Sequence, residues 1–250
     1  MSKTLPFYSF GKGANILFLH GFLGSAQDAK FINNGMVNAV DLPGHGNCDL
    51  YLMNKFSMSD TAKLVVNTLK KHSLSRPLLY GYSMGGRLSL YLGIHYPELF
   101  SGLILESASP GLQKTSERLE RIQLDAKRAN LIIDLGIKNF LQKWYQNQLF
   151  SNLDKDKMIL KRQNNNCQGL ANSLLGLGLG SQNSLWSDLS SLSLKTTIVV
   201  GENDFKFVDI AKQMTKLILN CNLNIVPNAG HCLNIEAPEY LNKIIKQCLK

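Results

Sequence analysis

The sequence predicts an α/β fold: a mostly parallel sheet with helices on both faces, interrupted by a helical insertion. Three observations carry that expectation. Short apolar runs, as at Ile16-Leu17-Phe18-Leu19, at 36–41 and at 103–106, alternate with longer stretches of helical spacing. Such alternation builds buried parallel strands joined by crossover helices. The alternation stops at Ser109-Pro110-Gly111 and resumes at Thr196-Thr197-Ile198-Val199-Val200. The run Leu78-Leu79-Tyr80, finally, breaks into Gly81-Tyr82-Ser83-Met84-Gly85, a serine with glycine two residues away on either side. A length of 250 residues suits one large domain carrying such an insertion.

Taken in order, a first strand falls around residues 7–10, and Ile16-Leu17-Phe18-Leu19 is a buried strand that stops at the loop His20-Gly21-Phe22-Leu23-Gly24-Ser25. Residues 36–41 form the next strand and end in Leu42-Pro43-Gly44-His45-Gly46, where Pro and Gly fix a tight turn. His45 has no carboxylate or cysteine at ligand spacing and reads as a turn-stabilising residue. Ser57 and Asp60 have the spacing of a capping box, and Ala62, Leu64, Val65, Val66 and Leu69 mark the buried side of the helix that follows. After Ser83 a helix runs from Met84 toward Tyr96 and stops before Pro97, and 103–106 is another buried strand. Residues 111–190, rich in Arg, Gln, Asn and Leu and without strand pattern, read as a helical cap inserted between 1–110 and 191–250. Leu and Gly alternate over 174–180, too briefly for a repeat. The sheet pattern resumes at Thr196, followed by Gly201-Glu202-Asn203-Asp204, a helix across 208–219, a strand at 223–226, Asn228-Ala229-Gly230-His231 and an amphipathic helix from Ala237.

The glycine-flanked serine reads as a nucleophile elbow, in which a strand turns sharply into a helix and only small neighbours, here Gly81 and Gly85, permit the strained serine. The candidate partners follow in the order Ser83, Asp204, His231, the chain order of the α/β-hydrolase fold. A serine hydroxyl needs a histidine to take its proton, and the histidine needs a carboxylate to hold its tautomer. Glu202 is the rival acid, less favoured because it lies close to the strand. The amides of Phe22 and Met84 are the expected oxyanion donors, the latter at a helix start, where unpaired N–H groups favour negative charge. Arg87 falls four residues, one helical turn, after Ser83. Arg118 and Arg121 share a helix face, and Glu117 and Asp125, at i−4 and i+4 of Arg121, allow a surface salt-bridge ladder instead of a binding role.

Composition narrows the function classes. The net charge of +9 comes from basic residues dispersed in ones and twos, with no basic stripe or aromatic-interleaved motif, so a nucleic-acid partner is not expected. Part of that charge is available to draw in a small anionic substrate. The five cysteines are odd in number and lack C-x-x-C spacing, which suggests reduced thiols in the cytoplasm and neither disulfides nor a metal site. No apolar run is long enough for a secretion signal or membrane insertion.

Beyond the elbow, Pro110-Gly111-Leu112-Gln113, Glu117-Arg118, Glu120-Arg121, Trp144-Tyr145-Gln146, Arg162-Gln163-Asn164-Asn165-Asn166 and Gly201-Glu202-Asn203-Asp204 with Lys206-Phe207 closely resemble the 2-succinyl-6-hydroxy-2,4-cyclohexadiene-1-carboxylate synthases of menaquinone and phylloquinone biosynthesis. The likeness covers nearly the whole chain, except residues 172–186, where no match can be placed. It implies Ser83, Asp204 and His231 as the triad, and Tyr82, Arg87, Arg121, Trp144 and Arg162 as substrate-binding residues; Arg118 is counted with them for the helix face it shares with Arg121. It implies a lyase that eliminates pyruvate from a tricarboxylate without metal or organic cofactor. It also moves Arg121 from ladder rung to ligand. A serine hydrolase of an ester or C–C bond in a small anionic substrate, or a non-catalytic receptor on the same fold, are the alternatives.

Overall fold

The computed structural model describes residues 3–52 and 56–250. Seven strands form one sheet in the order β1-β3-β2-β4-β5-β6-β7: β1 (Phe7–Gly11), β2 (Asn15–Leu19), β3 (Met36–Val40), β4 (Leu78–Tyr82), β5 (Gly102–Glu106), β6 (Thr196–Gly201) and β7 (Cys221–Val226). β1 runs antiparallel to β3, with Phe7 opposite Val40. Every other pairing is parallel. The central strands are covered on both sides, which is why they are nearly continuous apolar runs. Side-chain alternation divides them: Leu17, Leu79, Leu103, Leu105 and Ile198 face one core, and Ile16, Phe18, Tyr80, Ile104 and Val199 the other.

The first core is closed by α1 (Met58–Lys71), α2 (Met84–His95) and α6 (Phe205–Thr215), the second by α8 (Pro238–Cys248) and the turn Ala26–Phe31. The capping box of α1 forms as expected: Ser57 Oγ accepts from Asp60 N at 3.1 Å, and the Asp60 carboxylate accepts from Ser57 N at 3.2 Å. Helix α6 ends at Thr215, short of the predicted 219. There Leu217 N and Ile218 N both turn back to Met214 O, which buries Ile218 and leaves Leu219 91% exposed. A short α7 (Leu233–Glu236), not anticipated from the pattern, precedes α8.

Between β5 and β6 the chain forms α3 (Thr115–Trp144), α4 (Lys155–Arg162) and α5 (Cys167–Leu177). α3 breaks at Gly136, whose φ of 71° and ψ of 165° suit only glycine. Beyond the break, Phe140 and Leu141 turn into a third apolar cluster with Ile132, Phe150, Met158 and Leu170. That cluster includes Leu23 and Cys232, which follow β2 and β7, so the helical segment sits over the carboxyl ends of the strands. No helix among the described residues is long and apolar enough to cross a membrane.

Backbones pack closely at the elbow. Ser83 holds φ 50° and ψ −107°, a region that costs a non-glycine residue roughly 1–3 kcal/mol. A Cβ on Gly85 would collide with the carbonyl oxygens of Leu19 and His20, so the start of α2 lies directly against the end of β2. Gly85→Ala should therefore force these backbones apart and lower stability by roughly 1–3 kcal/mol, as core overpacking does. Urea unfolding checks this; a loss of under about 0.5 kcal/mol, the range of ordinary surface changes, would contradict the geometry.

Candidate active site

Three strand ends converge on one point. Ser83 joins β4 to α2, and its N–H donates to Glu106 O at 2.8 Å, pinning the elbow to the end of β5. Asp204 follows β6 as the N-cap of α6, and His231 lies in the turn after β7. His231 Nε2 is 3.1 Å from Ser83 Oγ, and His231 Nδ1 is 2.7 Å from Asp204 Oδ2. A buried carboxylate accepting from Nδ1–H leaves the Nε2 lone pair facing the serine hydroxyl, the arrangement that lets the imidazole take its proton. The rival Glu202 points elsewhere: its carboxylate accepts from Asn228 N at 3.0 Å. Phe207 and Tyr82 flank the imidazole, with ring centroids 4.7 and 5.7 Å away.

Above Ser83 opens a cleft of about 360 Å³ that is continuous with solvent. Phe22, Tyr82, Met84 and His231 line its base and Trp144 its side; Arg87, Arg121, Arg128, Arg162 and Lys206 make its wall strongly cationic. Such a site can polarise a serine hydroxyl and hold a small polyanion beside it.

Residues 14–238 match the alpha/beta hydrolase fold family. A Bacillus subtilis protein provisionally named 2-succinyl-6-hydroxy-2,4-cyclohexadiene-1-carboxylate synthase is 37% identical, covering 94% of this chain and 89% of its own. The synthase of that name from Serratia proteamaculans is 30% identical over 90% of this chain and 88% of its own. The structure of MenH from S. aureus superposes with a TM-score of 0.91 at 30% identity, covering 98% of this chain and 97% of that one. The chain belongs to this synthase family, within the α/β hydrolases.

Several of the expected synthase residues meet at the cleft, with partners that spacing did not reveal. Arg121 both lines the cleft and pairs with Asp125, Nε to Oδ1 at 2.7 Å, so its two readings are compatible. The other half of the ladder does not form, because Glu117 pairs with Lys114 at 3.8 Å. Arg118 is not among the residues that line the cleft; its guanidinium donates to Asn183 Oδ1 at 3.2 Å. Three residues are about 300° of helical turn, so Arg118 shares the broad face of Arg121 but is rotated about 60° to its flank, toward Asn183. Arg87 donates to Gln182 Oε1 at 2.6 Å and to Leu177 O at 2.7 Å. Burial, then the neighbouring Arg121, lowers its pKa to about 10. The unmatched stretch 172–186 thus supplies the partners of Arg87, and its Trp186 Nε1 donates to Gly111 O at 3.0 Å.

Arg162 reaches across to the core, where Asp28 Oδ2 receives its Nη2 at 2.8 Å and Asp28 Oδ1 the Lys161 ammonium at 2.8 Å. Burial pushes the Asp28 carboxyl up, but the two cations outweigh it and hold it below its usual range. The asparagines after Arg162 gain a physical reason. Asn165 Nδ2 donates to Leu23 O at 3.0 Å, and Asn166 caps α5 by accepting from Gly169 N at 3.0 Å. Tyr82 lines the cleft, but its hydroxyl is committed to Cys232 Sγ at 2.8 Å. His45 bonds the Pro43 carbonyl at 3.1 Å, as a turn-stabilising residue would. Lys206 and Arg128 are cationic residues of the cleft to which the sequence assigned no binding role, and of the two Arg128 was not singled out at all. Arg128 lies 3.6 Å from the same Asp125 oxygen and its guanidinium sits 5.4 Å over the Trp144 ring. Its place two turns beyond Arg121 on one face was the available signal.

Beneath the elbow Glu106 is fully buried, its carboxyl receiving Tyr80 OH at 2.6 Å and Asn234 N at 2.9 Å. Burial pushes its pKa up to about 8. The group therefore folds as the neutral acid at pH 7. Relative to an unfolded value near 4.5, its stabilising contribution is complete below pH 4.5 and lost as pH rises through about 8. Glu106→Gln, a permanent neutral mimic, should gain on the parent between pH 5 and 8 by about 1.4 kcal/mol per pH unit at most. Denaturant titrations at four pH values measure this; a constant difference would show that Glu106 folds ionised.

Proposed function

We propose that this enzyme eliminates pyruvate from 2-succinyl-5-enolpyruvyl-6-hydroxy-3-cyclohexene-1-carboxylate to give 2-succinyl-6-hydroxy-2,4-cyclohexadiene-1-carboxylate. The observation that carries the reading is the Ser83–His231–Asp204 series opening into a cleft walled by Arg87, Arg121, Arg128, Arg162 and Lys206. The substrate has three carboxylates, and guanidinium groups suit planar, bidentate carboxylate binding. Three of these arginines surround Asp125 and so leave positive charge to be met by a ligand. In this reading residues 111–190 form the cap over the substrate, and 1–110 with 191–250 the catalytic core. The free state of all five cysteines supports a cytoplasmic setting.

In the proposed mechanism Ser83, its proton drawn toward His231 Nε2, acts as the base that removes the ring proton next to the succinyl ketone. Asp204 stabilises the imidazolium that results. The Phe22 and Met84 amides meet the enolate oxygen. As the ketone re-forms, electron density moves through the ring double bond and breaks the C–O bond to the enolpyruvyl group. The departing enol becomes pyruvate; no water is consumed. Ser83 works as a base and not a nucleophile.

Two experiments test this. The purified protein should release pyruvate from the enolpyruvyl substrate in a lactate-dehydrogenase-coupled assay, with no adduct on Ser83 in rapid-quench intact mass spectra. An adduct that forms and decays at the turnover rate would instead place the protein among serine hydrolases. Asp204→Asn should keep the fold and reduce kcat by roughly 10⁴-fold through the wrong histidine tautomer, whereas Glu202→Gln should keep near-parental turnover. The reverse pattern would make Glu202 the acid.

A further inference from the structure

His231 is only as well placed as the turn that carries it. Upstream, Asn203 N donates to Ala229 O at 2.9 Å; downstream, Asn234 N donates to Glu106 at 2.9 Å. Between them a single side chain brackets the histidine. Glu236 curls back from the end of α7 so that Oε2 accepts from Gly230 N at 2.7 Å and Oε1 from Cys232 N at 3.0 Å. The N–H groups on both sides of His231 therefore end on one rigid carboxylate, in bonds stronger than neutral ones. Helix α7 does not require this arrangement, since Gly230 lies outside it. Glu236 Oε2 also accepts from Asn152 Nδ2 at 3.0 Å. Asn152 follows the turn Gln148–Phe150, where Asn147, Leu149 and Phe150 line the cleft.

We propose that Glu236 is a positioning residue that fixes His231 for proton transfer, and that Asn152 ties the cleft wall at 147–150 to it. The inference rests on the reading of His231 as the proton relay. With Nε2 3.1 Å from Ser83 Oγ, a displacement of about 1 Å is enough to cost a hundredfold in rate. A glutamine at 236 keeps one acceptor oxygen and turns an amide N–H toward the other backbone donor, so one of the two bonds is lost.

The test measures kcat and KM for pyruvate release, Tm, and the downfield proton resonance of His231 Nδ1–H, assigned by its loss in His231→Gln. Glu236→Gln should lower kcat about 10- to 100-fold with KM within about threefold, and broaden or remove the resonance. Asn152→Ala, at an exposed side chain, should lower kcat about threefold with unchanged Tm. A Glu236→Gln protein that melts lower but keeps parental kcat and the resonance overturns the proposal, because the carboxylate then only packs the turn. Parental kinetics in Asn152→Ala overturn the tie to the cleft wall. Should Glu236→Gln not fold, Glu236→Asp, one methylene short of both donors, is judged by the same readouts. A parent protein that releases no pyruvate refutes the proposed reaction, while the resonance still tests Glu236.

Discussion

The contact on which the rest depends is the approach of α2 to β2 and β5 at the elbow. Ser83 has a backbone conformation that serine does not adopt unaided, and it persists because its surroundings leave no alternative. Its N–H is held by the Glu106 carbonyl, and Gly85 lets the helix start lie against the last carbonyls of β2. The same contact brings the β2 loop carrying Phe22 beside Met84, so the two proposed oxyanion donors line one cleft as a consequence of how the sheet packs. A shift at Gly85 would move the serine and both donors together.

Around that fixed point the charge is deliberately uneven. Asp125 is shared by Arg121 and Arg128, with Arg87 near enough to feel Arg121 and Asp125, and Asp28 is taken up by Arg162 and Lys161. Glu106, the buried carboxyl closest to the elbow's backbone, is held in its neutral form by burial and cancels none of that charge. In the proposed reaction a polyanion entering the cleft would meet guanidinium groups already oriented by their partners. Little reorganisation is then needed when charge moves onto an enolate, the condition under which electrostatic stabilisation is most effective.

The helical segment that roofs the cleft is joined to the sheet by an apolar cluster and a few polar ties: Arg162 and Lys161 to Asp28, Asn165 to the Leu23 carbonyl, and Asn152 to Glu236. These ties land on the Phe22 loop, on the turn that precedes β3 and on the histidine turn. The roof is therefore registered against the reacting groups themselves. This accounts for Arg162 facing two ways: it lines the cleft while its ion pair anchors the roof.

The alternation of apolar runs and helical spacing determined the parallel sheet, because buried strands and amphipathic helices leave different periods in a chain. The glycines around Ser83, and the placing of Asp204 and His231 just after strand patterns, made the three residues legible, since position after a strand decides which sheet edge a side chain meets. The end of α6 was not legible: Ile218 continues the helical spacing, and only the turn back to Met214 shows where the helix stops. Nor were the partners of the arginines. Spacing along α3 relates Arg121 to Asp125, but it cannot show that Gln182 and the Leu177 carbonyl come round to Arg87, or that Asp28 meets Arg162. Glu202 and Asp204, two residues apart after the same strand, were separable only in three dimensions, where one carboxylate turns to the Asn228 amide and the other to the imidazole. Local pattern determined the elements and the edge on which they act; the contacts between residues far apart in the chain, which no period encodes, were decided by the packing of the helical segment against the strand ends.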